Sequence, residues 1–190
     1  TKDISILEKA SNENNDFYIK MAVVENKNCP IHILEKLSKN NGYLITIAVI
    51  KNNNCTVNLL KKLIKHHQNE VRATIAYNKN CTLDLLEELS KDYNPYVRVS
   101  IIFNSNCTSK LFNKLLNDGD SIVRAILAGF KNIDLQMLEE LSNDYDTNVR
   151  IAVAKNKKCT PAILNNLLDS GSVDVLVPVA KNPNCTEEIL

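Results

Sequence analysis

The cysteines of this chain recur at a fixed spacing of 26 residues. All six stand at multiples of that spacing from one another, and Ile133 fills the one position in the row without a thiol: Cys29, Cys55, Cys81, Cys107, Cys159 and Cys185. A period of this regularity is typical of a repeat array, in which each repeat buries its apolar side against its neighbours.

Two further residue types follow the same period. Asparagine lies three residues before the cysteine position in every repeat but one, where Phe130 replaces it: Asn26, Asn52, Asn78, Asn104, Asn156 and Asn182. The chain has four arginines, and all of them lie nine residues before that position: Arg72, Arg98, Arg124 and Arg150. Each of these rows therefore marks one fixed place in the repeat.

Each repeat contains two apolar segments. The first, which we name helix A, has leucines at helical spacing, as in Leu85, Leu86 and Leu89, and Thr82 precedes it in the position of a helix cap. We expect helix A to span about ten residues. The second, helix B, begins at the Val-Arg pair of Val97 and Arg98 and is expected to be shorter, seven or eight residues of α or 3₁₀ helix.

The β-branched content of helix B also fits a strand. Small residues at one repeat position favour the helix, because they suit close helix packing: Ala48, Thr74, Ser100 and Ala152. We expect helix B to end near the asparagine, which tolerates a left-handed conformation. The prediction is an all-α solenoid of about seven helix pairs, one domain over residues 1–190. An eighth helix A stops at Leu190, which suggests a chain truncated at its C-terminal end.

Composition excludes several classes of protein. The 23 basic and 22 acidic residues nearly cancel, and the longest apolar run, residues 44–50, is too short to span a membrane. Stacked helices lie about 8–10 Å apart, whereas the Cα atoms of a disulfide approach to about 4.4–6.8 Å. One sulfur in each repeat also cannot build a metal site. We therefore expect no cofactor and no metal, reduced thiols of which at least five are buried, and a cytoplasmic location.

The repeats resemble the leucine-rich repeat variant family, whose pattern is V-R-x-x-V-A-x-N-P-x-C-P-x-x-L-L-x-x-L. Residues 149–164, VRIAVAKNKKCTPAIL, follow it closely, and Asn182 with Pro183 keeps the Asn-Pro pair. The resemblance covers essentially the whole chain, with threonine where the family often has proline. It implies a right-handed superhelix of paired helices related to HEAT and armadillo arrays, used for binding and without a catalytic residue.

The arginine row has two interpretations. A row of guanidinium groups along a groove would suit phosphates. However, Arg98 shares its side of helix B with Val97 and Ile101, which favours a structural role. Aspartates lie six residues before three of the arginines and four before two of them, so we expect Asp–Arg pairs between stacked loops: Asp92, Asp118, Asp120, Asp144 and Asp146. The asparagines are expected to form hydrogen bonds between repeats, and the cysteines to form a buried row.

The opposite side of helix B carries the candidate binding residues. Positions two before and five after the arginine position lie within about 20° of one another on a helix. They form a candidate partner-binding face of large apolar side chains: Tyr18, Leu44, Tyr77, Tyr96, Phe103 and Ile122. Such side chains are enriched in protein interfaces. The alternative is that the same rings pack against neighbouring repeats. If helix B is the shorter helix, this face lies on the concave side of the array.

We expect a non-enzymatic scaffold that binds a protein or peptide on this face. The alternative is nucleic-acid binding, in which the arginine row with Lys51, Lys155 and Lys181 contacts phosphates and tyrosines stack on bases. The balanced net charge and the inward direction of the arginines count against it. A helical-repeat enzyme acting on DNA ranks third, because no acid, nucleophile or metal set is recognisable.

Overall fold

The structure is a computed structural model that describes residues 4–13, 16–39, 42–169 and 172–187. These residues form fourteen α-helices and no strand, which confirms the all-α prediction for them. The chain divides into two compact units, Thr1–Cys107 and Thr108–Leu190, which we name unit 1 and unit 2.

The helices alternate between the two types predicted from the sequence. Unit 1 contains α1 (Ile4–Glu13), α2 (Phe17–Glu25), α3 (Ile31–Leu37), α4 (Tyr43–Lys51), α5 (Val57–Leu63), α6 (Asn69–Tyr77), α7 (Leu83–Leu89) and α8 (Pro95–Ile101). Unit 2 contains α9 (Ser109–Leu116), α10 (Ser121–Ala128), α11 (Leu135–Ser142), α12 (Thr147–Lys155), α13 (Pro161–Leu168) and α14 (Val173–Ala180). Odd numbers are helices A and even numbers are helices B.

Helices pack mainly against the equivalent helix of the next repeat. In unit 1, α2 contacts α4, α4 contacts α6 and α6 contacts α8; in unit 2, α10 contacts α12 and α12 contacts α14. Each helix B also contacts the helix A that precedes it. The leucine stripe of helix A supplies the core, since Leu85, Leu86 and Leu89 are all buried. This neighbour-to-neighbour packing is consistent with a helical repeat.

The predicted difference in helix length was wrong. After the ten-residue α1, helices A have seven or eight residues, and helices B have seven to nine. Helix B starts earlier than the Val-Arg pair: α12 begins at Thr147, two residues before Val149, because the carboxylate of Asp146 caps it there. Helix A ends soon after its last leucine. Because helix B is not the shorter helix, its length does not place it on a concave side.

Side-chain caps fix where the helices begin. Thr56 and Thr160 accept the backbone N–H three residues on, as predicted for helix A, whereas Thr82 forms no cap bond and its hydroxyl is buried without a partner. Asp120 and Asp146 were expected to pair with arginines, but they cap helices B by accepting the N–H groups of Ile122 and Asn148. An oxygen two residues ahead of an N–H is placed for capping. Both carboxylates therefore cap their own helices, and Asp146 also accepts a hydrogen bond from the Ser121 side chain of the preceding repeat.

The cysteine row is less completely buried than predicted. None of the six cysteines, all of which lie among the described residues, forms a disulfide. Four are buried, Cys29, Cys55, Cys81 and Cys159, and two are half-buried, Cys107 and Cys185. Burial raises the pKa of the Cys29, Cys55, Cys107 and Cys159 thiols to about 11 and that of Cys81 to about 12.

These pKa values predict slow thiol chemistry at neutral pH. Since the thiolate is the reactive form, native protein at pH 7 should react with a thiol reagent mainly at Cys185, which is half-buried. Labelling with a maleimide followed by peptide mass mapping checks this, with a Cys185→Ser variant as control. Rapid modification of Cys55 or Cys81 in the folded protein would contradict the burial described here.

Candidate binding surface

The predicted binding positions on helix B are exposed. In α8, Val97, Ser100 and Ile101 are buried, whereas Tyr96 on the other side of the helix is 58% exposed. Tyr18 is 80% exposed, and the remaining members in unit 1 are also accessible: Leu44, Tyr77 and Phe103. Helical geometry explains the pattern, because residues seven apart return to nearly the same direction.

Two rings of unit 1 lie against each other across consecutive repeats. Tyr77 and Phe103 stack with centroids 5.9 Å apart and planes inclined by 23°. They occupy the same repeat position, 26 residues apart. The pair forms an apolar patch that stays open to solvent. In this part of the molecule the rings therefore contact each other without entering the core.

Cavities open beside these helices. A cavity of about 390 Å³ between α2 and α4 is lined by Phe17, Met21, Leu44 and Ile47. A neighbouring one of about 540 Å³ between α4 and α6 includes Tyr77, and Lys51 borders both. Sites that bind ligands or side chains are usually concave and mostly apolar. The surface around Leu44 and Tyr77 therefore offers recesses as well as exposed rings.

The sixth member of the predicted face lies in unit 2. Ile122, on α10, is exposed. In the next two repeats its position is held by Asn148 and Asp174. Exposed lysines, Lys155 and Lys181, occupy the position that Tyr77 and Phe103 hold in unit 1. The last two repeats thus carry polar or charged side chains at positions where unit 1 carries large apolar side chains in most repeats and Lys51 and Glu70 in others.

The arginines are held inside the structure. Arg72 Nε and Nη2 donate to the carboxylate of Asp92 at 2.6 and 3.0 Å, and Arg124 makes the same two contacts with Asp144. Both arginines are only 4% exposed. A carboxylate that accepts two parallel hydrogen bonds from one guanidinium is a strong partner. The hydrogen bonds to Asp92 and Asp144 raise the pKa of each arginine.

Each of these aspartates serves two repeats. The carboxylate of Asp144 binds Arg124 of the preceding repeat, and its backbone carbonyl accepts from Nη1 of Arg150 in its own repeat at 2.6 Å. Asp92 repeats the arrangement with Arg72 and Arg98. The Asp–Arg contacts of Arg72 and Arg124 therefore bridge consecutive repeats inside each unit.

Tyrosines complete the arginine sites, a feature that the sequence reasoning missed. The guanidinium carbon of Arg72 lies 4.7 Å from the ring centroid of Tyr93, and that of Arg124 lies 4.5 Å from Tyr145. An arginine over an aromatic face gains a cation–π contact. The signal was present, because each tyrosine directly follows the aspartate of its pair.

The asparagine row connects adjacent repeats. Asn156 Nδ2 donates to the carbonyl oxygen of Ala128 at 2.7 Å and to that of Phe130 at 3.3 Å. Its side-chain oxygen accepts the backbone N–H of Lys158. The same inter-repeat donation from this position is made by Asn52, Asn78, Asn104 and Asn182.

The predicted left-handed backbone at this asparagine was wrong. The asparagines that cap helices B have φ between −66° and −74° with extended ψ values: Asn26, Asn52, Asn78 and Asn156. An extended residue lets the side chain close the loop in place of the backbone. Its oxygen bonds forward within the loop while its amide reaches the preceding repeat.

A second asparagine row was missed. Asparagine stands directly before the cysteine in most repeats, and its amide donates to the cysteine carbonyl of the preceding repeat at 2.8–2.9 Å: Asn54, Asn80, Asn106 and Asn184. At the equivalent position, the ammonium group of Lys158 donates to the carbonyl of Ile133. The repeated Asn-Cys pair was the signal that sequence reasoning could have used.

Metal clusters and membrane-spanning helices were sought among the described residues. No group of three or more histidine, cysteine, aspartate or glutamate side chains within residues 4–13, 16–39, 42–169 and 172–187 is placed to hold a metal ion. Over the same ranges, every helix is too short or too polar to cross a bilayer.

Comparisons with known proteins found no relative. No protein-family model, no curated protein and no solved structure matches this chain.

Proposed function

We propose that this protein is a non-enzymatic scaffold that binds another protein or a peptide on the exposed side of its helices B. The observation that carries the proposal is the set of large apolar side chains left open to solvent at equivalent positions of unit 1: Tyr18, Leu44, Tyr77, Tyr96 and Phe103. Exposing large apolar side chains to water has an energetic cost, and exposed apolar surface of this kind marks interaction sites. Tyrosine is also enriched among residues that dominate interface energies.

The repeat type belongs to the same proposal. The 26-residue period and the neighbour-to-neighbour helix packing support leucine-rich repeat variant units, and the resemblance to that family implies a right-handed superhelix. In such an array equivalent positions recur along one surface, so a partner that contacts one repeat also reaches the next. A cytoplasmic location accords with free thiols.

Nucleic-acid binding is the alternative. Three exposed lysines at one repeat position favour it: Lys51, Lys155 and Lys181. Aromatic side chains occupy the same position in other repeats, so lysines could contact phosphates while the rings stack on bases. The arginine row no longer supports it, because Arg72 and Arg124 are buried against carboxylates. A phosphate would have to displace those pairs. We therefore rank a protein or peptide partner first and an enzyme acting on DNA last.

Removing two rings tests the proposal. Tyr96→Ala combined with Phe103→Ala should leave thermal unfolding close to wild type, since both rings lie outside the core. Capture of partners from a lysate should fall steeply, because an interface anchor contributes about 2 kcal/mol or more when cut to alanine. Captured material should be compared with and without nuclease, at low and moderate salt.

The control is Leu83→Ala with Leu135→Ala, two exposed leucines at the start of helices A. That variant should retain partner capture. Loss of stability in the Tyr96 and Phe103 variant would show that the rings belong to the core. Capture that vanishes with nuclease would instead favour nucleic acid.

A further inference from the structure

Unit 2 contains a second recess of a different kind. A groove of about 740 Å³ lies between α12 and α14. Its apolar lining is aliphatic, from Ile151 on α12 and from Val173, Val177 and Pro178 on α14. Val177 is 49% exposed, so this floor is open to solvent. The groove has the size and apolar character of a site that holds one or two side chains.

Lysines surround this floor. Lys155, Lys157 and Lys181 line the groove and are exposed, and Asp174 is the one acidic residue in its lining. Among the described residues, none of the three ammonium groups has a hydrogen bond or an ion pair with the protein. Three positive charges against one negative charge favour an acidic occupant.

The lining disfavours nucleic acid. Proteins that hold single strands use aromatic rings on which bases stack, and no aromatic side chain lines this groove. A peptide can also direct a backbone N–H toward the carboxylate of Asp174, whereas a phosphate group has no donor to offer it.

We propose that the groove between α12 and α14 binds an acidic peptide segment. An apolar side chain of the segment packs on Ile151 and Val177, and its carboxylates pair with Lys155 and Lys181. This site lies in unit 2 at the helix-B positions that Tyr77, Tyr96 and Phe103 hold in unit 1. It therefore deepens the function proposed above and rests on it, since it names a chemical class of partner for this side of the helices.

A labelled peptide tests this directly. The probe is a short fluorescent peptide in which leucine alternates with pairs of glutamate, and its binding to the full chain is measured by fluorescence anisotropy. Lys155→Glu with Lys181→Glu should weaken binding about tenfold or more, because like charges then face each other. Val177→Asn should also weaken it, while a probe with glutamine in place of glutamate should bind poorly to wild type.

A matched control separates local from global charge. Lys61→Glu with Lys91→Glu makes the same change in net charge at exposed positions away from the groove and should bind the probe like wild type. Tyr96→Ala with Phe103→Ala should also retain the probe, so failure of the aromatic face and failure of this site are distinguishable. Circular dichroism confirms that each variant is folded.

Three results would overturn the proposal. Equal loss of probe binding in the Lys155 and Lys181 variant and in the Lys61 and Lys91 control would show a general effect of net charge. Absence of probe binding to the wild-type protein would show that the groove does not bind an acidic peptide. A single-stranded DNA oligonucleotide that binds tighter than the peptide and is unaffected by Val177→Asn would assign the lysines to phosphates.

Discussion

Asp144→Ala is expected to lower the free energy of unfolding by about 3–5 kcal/mol, because removing one partner of a buried ion pair leaves the other charge uncompensated. The change removes the ion-pair partner of Arg124, which is 4% exposed and whose guanidinium group donates to both carboxylate oxygens of Asp144. It also removes the acceptor for the backbone N–H of Asp146. Urea unfolding followed by circular dichroism measures the loss.

Two further variants distinguish the contribution of charge from that of hydrogen-bond geometry. Arg124→Lys keeps the charge but loses the planar fork and should cost about 1 kcal/mol or more. Glu140→Ala removes an exposed carboxylate from α11 and should change stability by less than about 0.5 kcal/mol. If Asp144→Ala and Glu140→Ala are equally mild, the Asp–Arg contact is not holding repeats together.

The second large effect is expected at Asn52. Its amide donates to the carbonyl oxygens of Val24 and Asn26, and its oxygen accepts the N–H of Asn54. Alanine would leave these backbone groups without partners, and the side chain is 8% exposed. At about 1 kcal/mol for each hydrogen bond, Asn52→Ala should destabilise the protein by about 2–3 kcal/mol.

Asn53 provides a matched control for this change. It is the next residue, it has the same chemistry, and it is exposed. Asn53→Ala should therefore alter the unfolding midpoint only slightly, although it removes an exposed contact with Lys79. Similar losses in both variants would mean that the buried asparagine row does not connect the repeats.

The repeat made much of this predictable. Each repeat position is observed in several copies, so a residue type that recurs in them reflects the fold and not a local exception. Spacing alone was therefore enough to assign the helical stripe of Leu85, Leu86 and Leu89 and the exposed side of Tyr96. The inward direction of Arg124 followed from the same angular argument. These predictions needed only helical geometry and burial.

Helix boundaries were harder, because they depend on competing hydrogen bonds. Asp146 stands where it could pair with Arg150 or cap α12, and the sequence favours neither. In the structure Asp146 caps α12, so helix B begins earlier and is longer than predicted. Likewise, Asn156 can adopt a left-handed backbone or use its side chain, and contact with the preceding repeat decides between them.

Pairing between repeats also explains an irregular residue. The aspartate that binds an arginine lies 20 residues after it, as Asp92 does after Arg72. Where Thr46 replaces arginine, the residue 20 positions later is His66. Because Thr46 has no guanidinium group, a carboxylate at position 66 would have no arginine to bind. A period alone does not give this offset, since it requires knowing which loops lie side by side.

The most direct test of the central claim is site-specific photo-cross-linking from the aromatic face. A photoreactive phenylalanine at position 96, in place of Tyr96, is compared with the same residue at position 83, in place of the exposed Leu83 on helix A. We expect a discrete, nuclease-resistant protein cross-link from position 96 and none from position 83. Cross-links to nucleic acid, or equal yields from both positions, would contradict a protein-binding face on helix B.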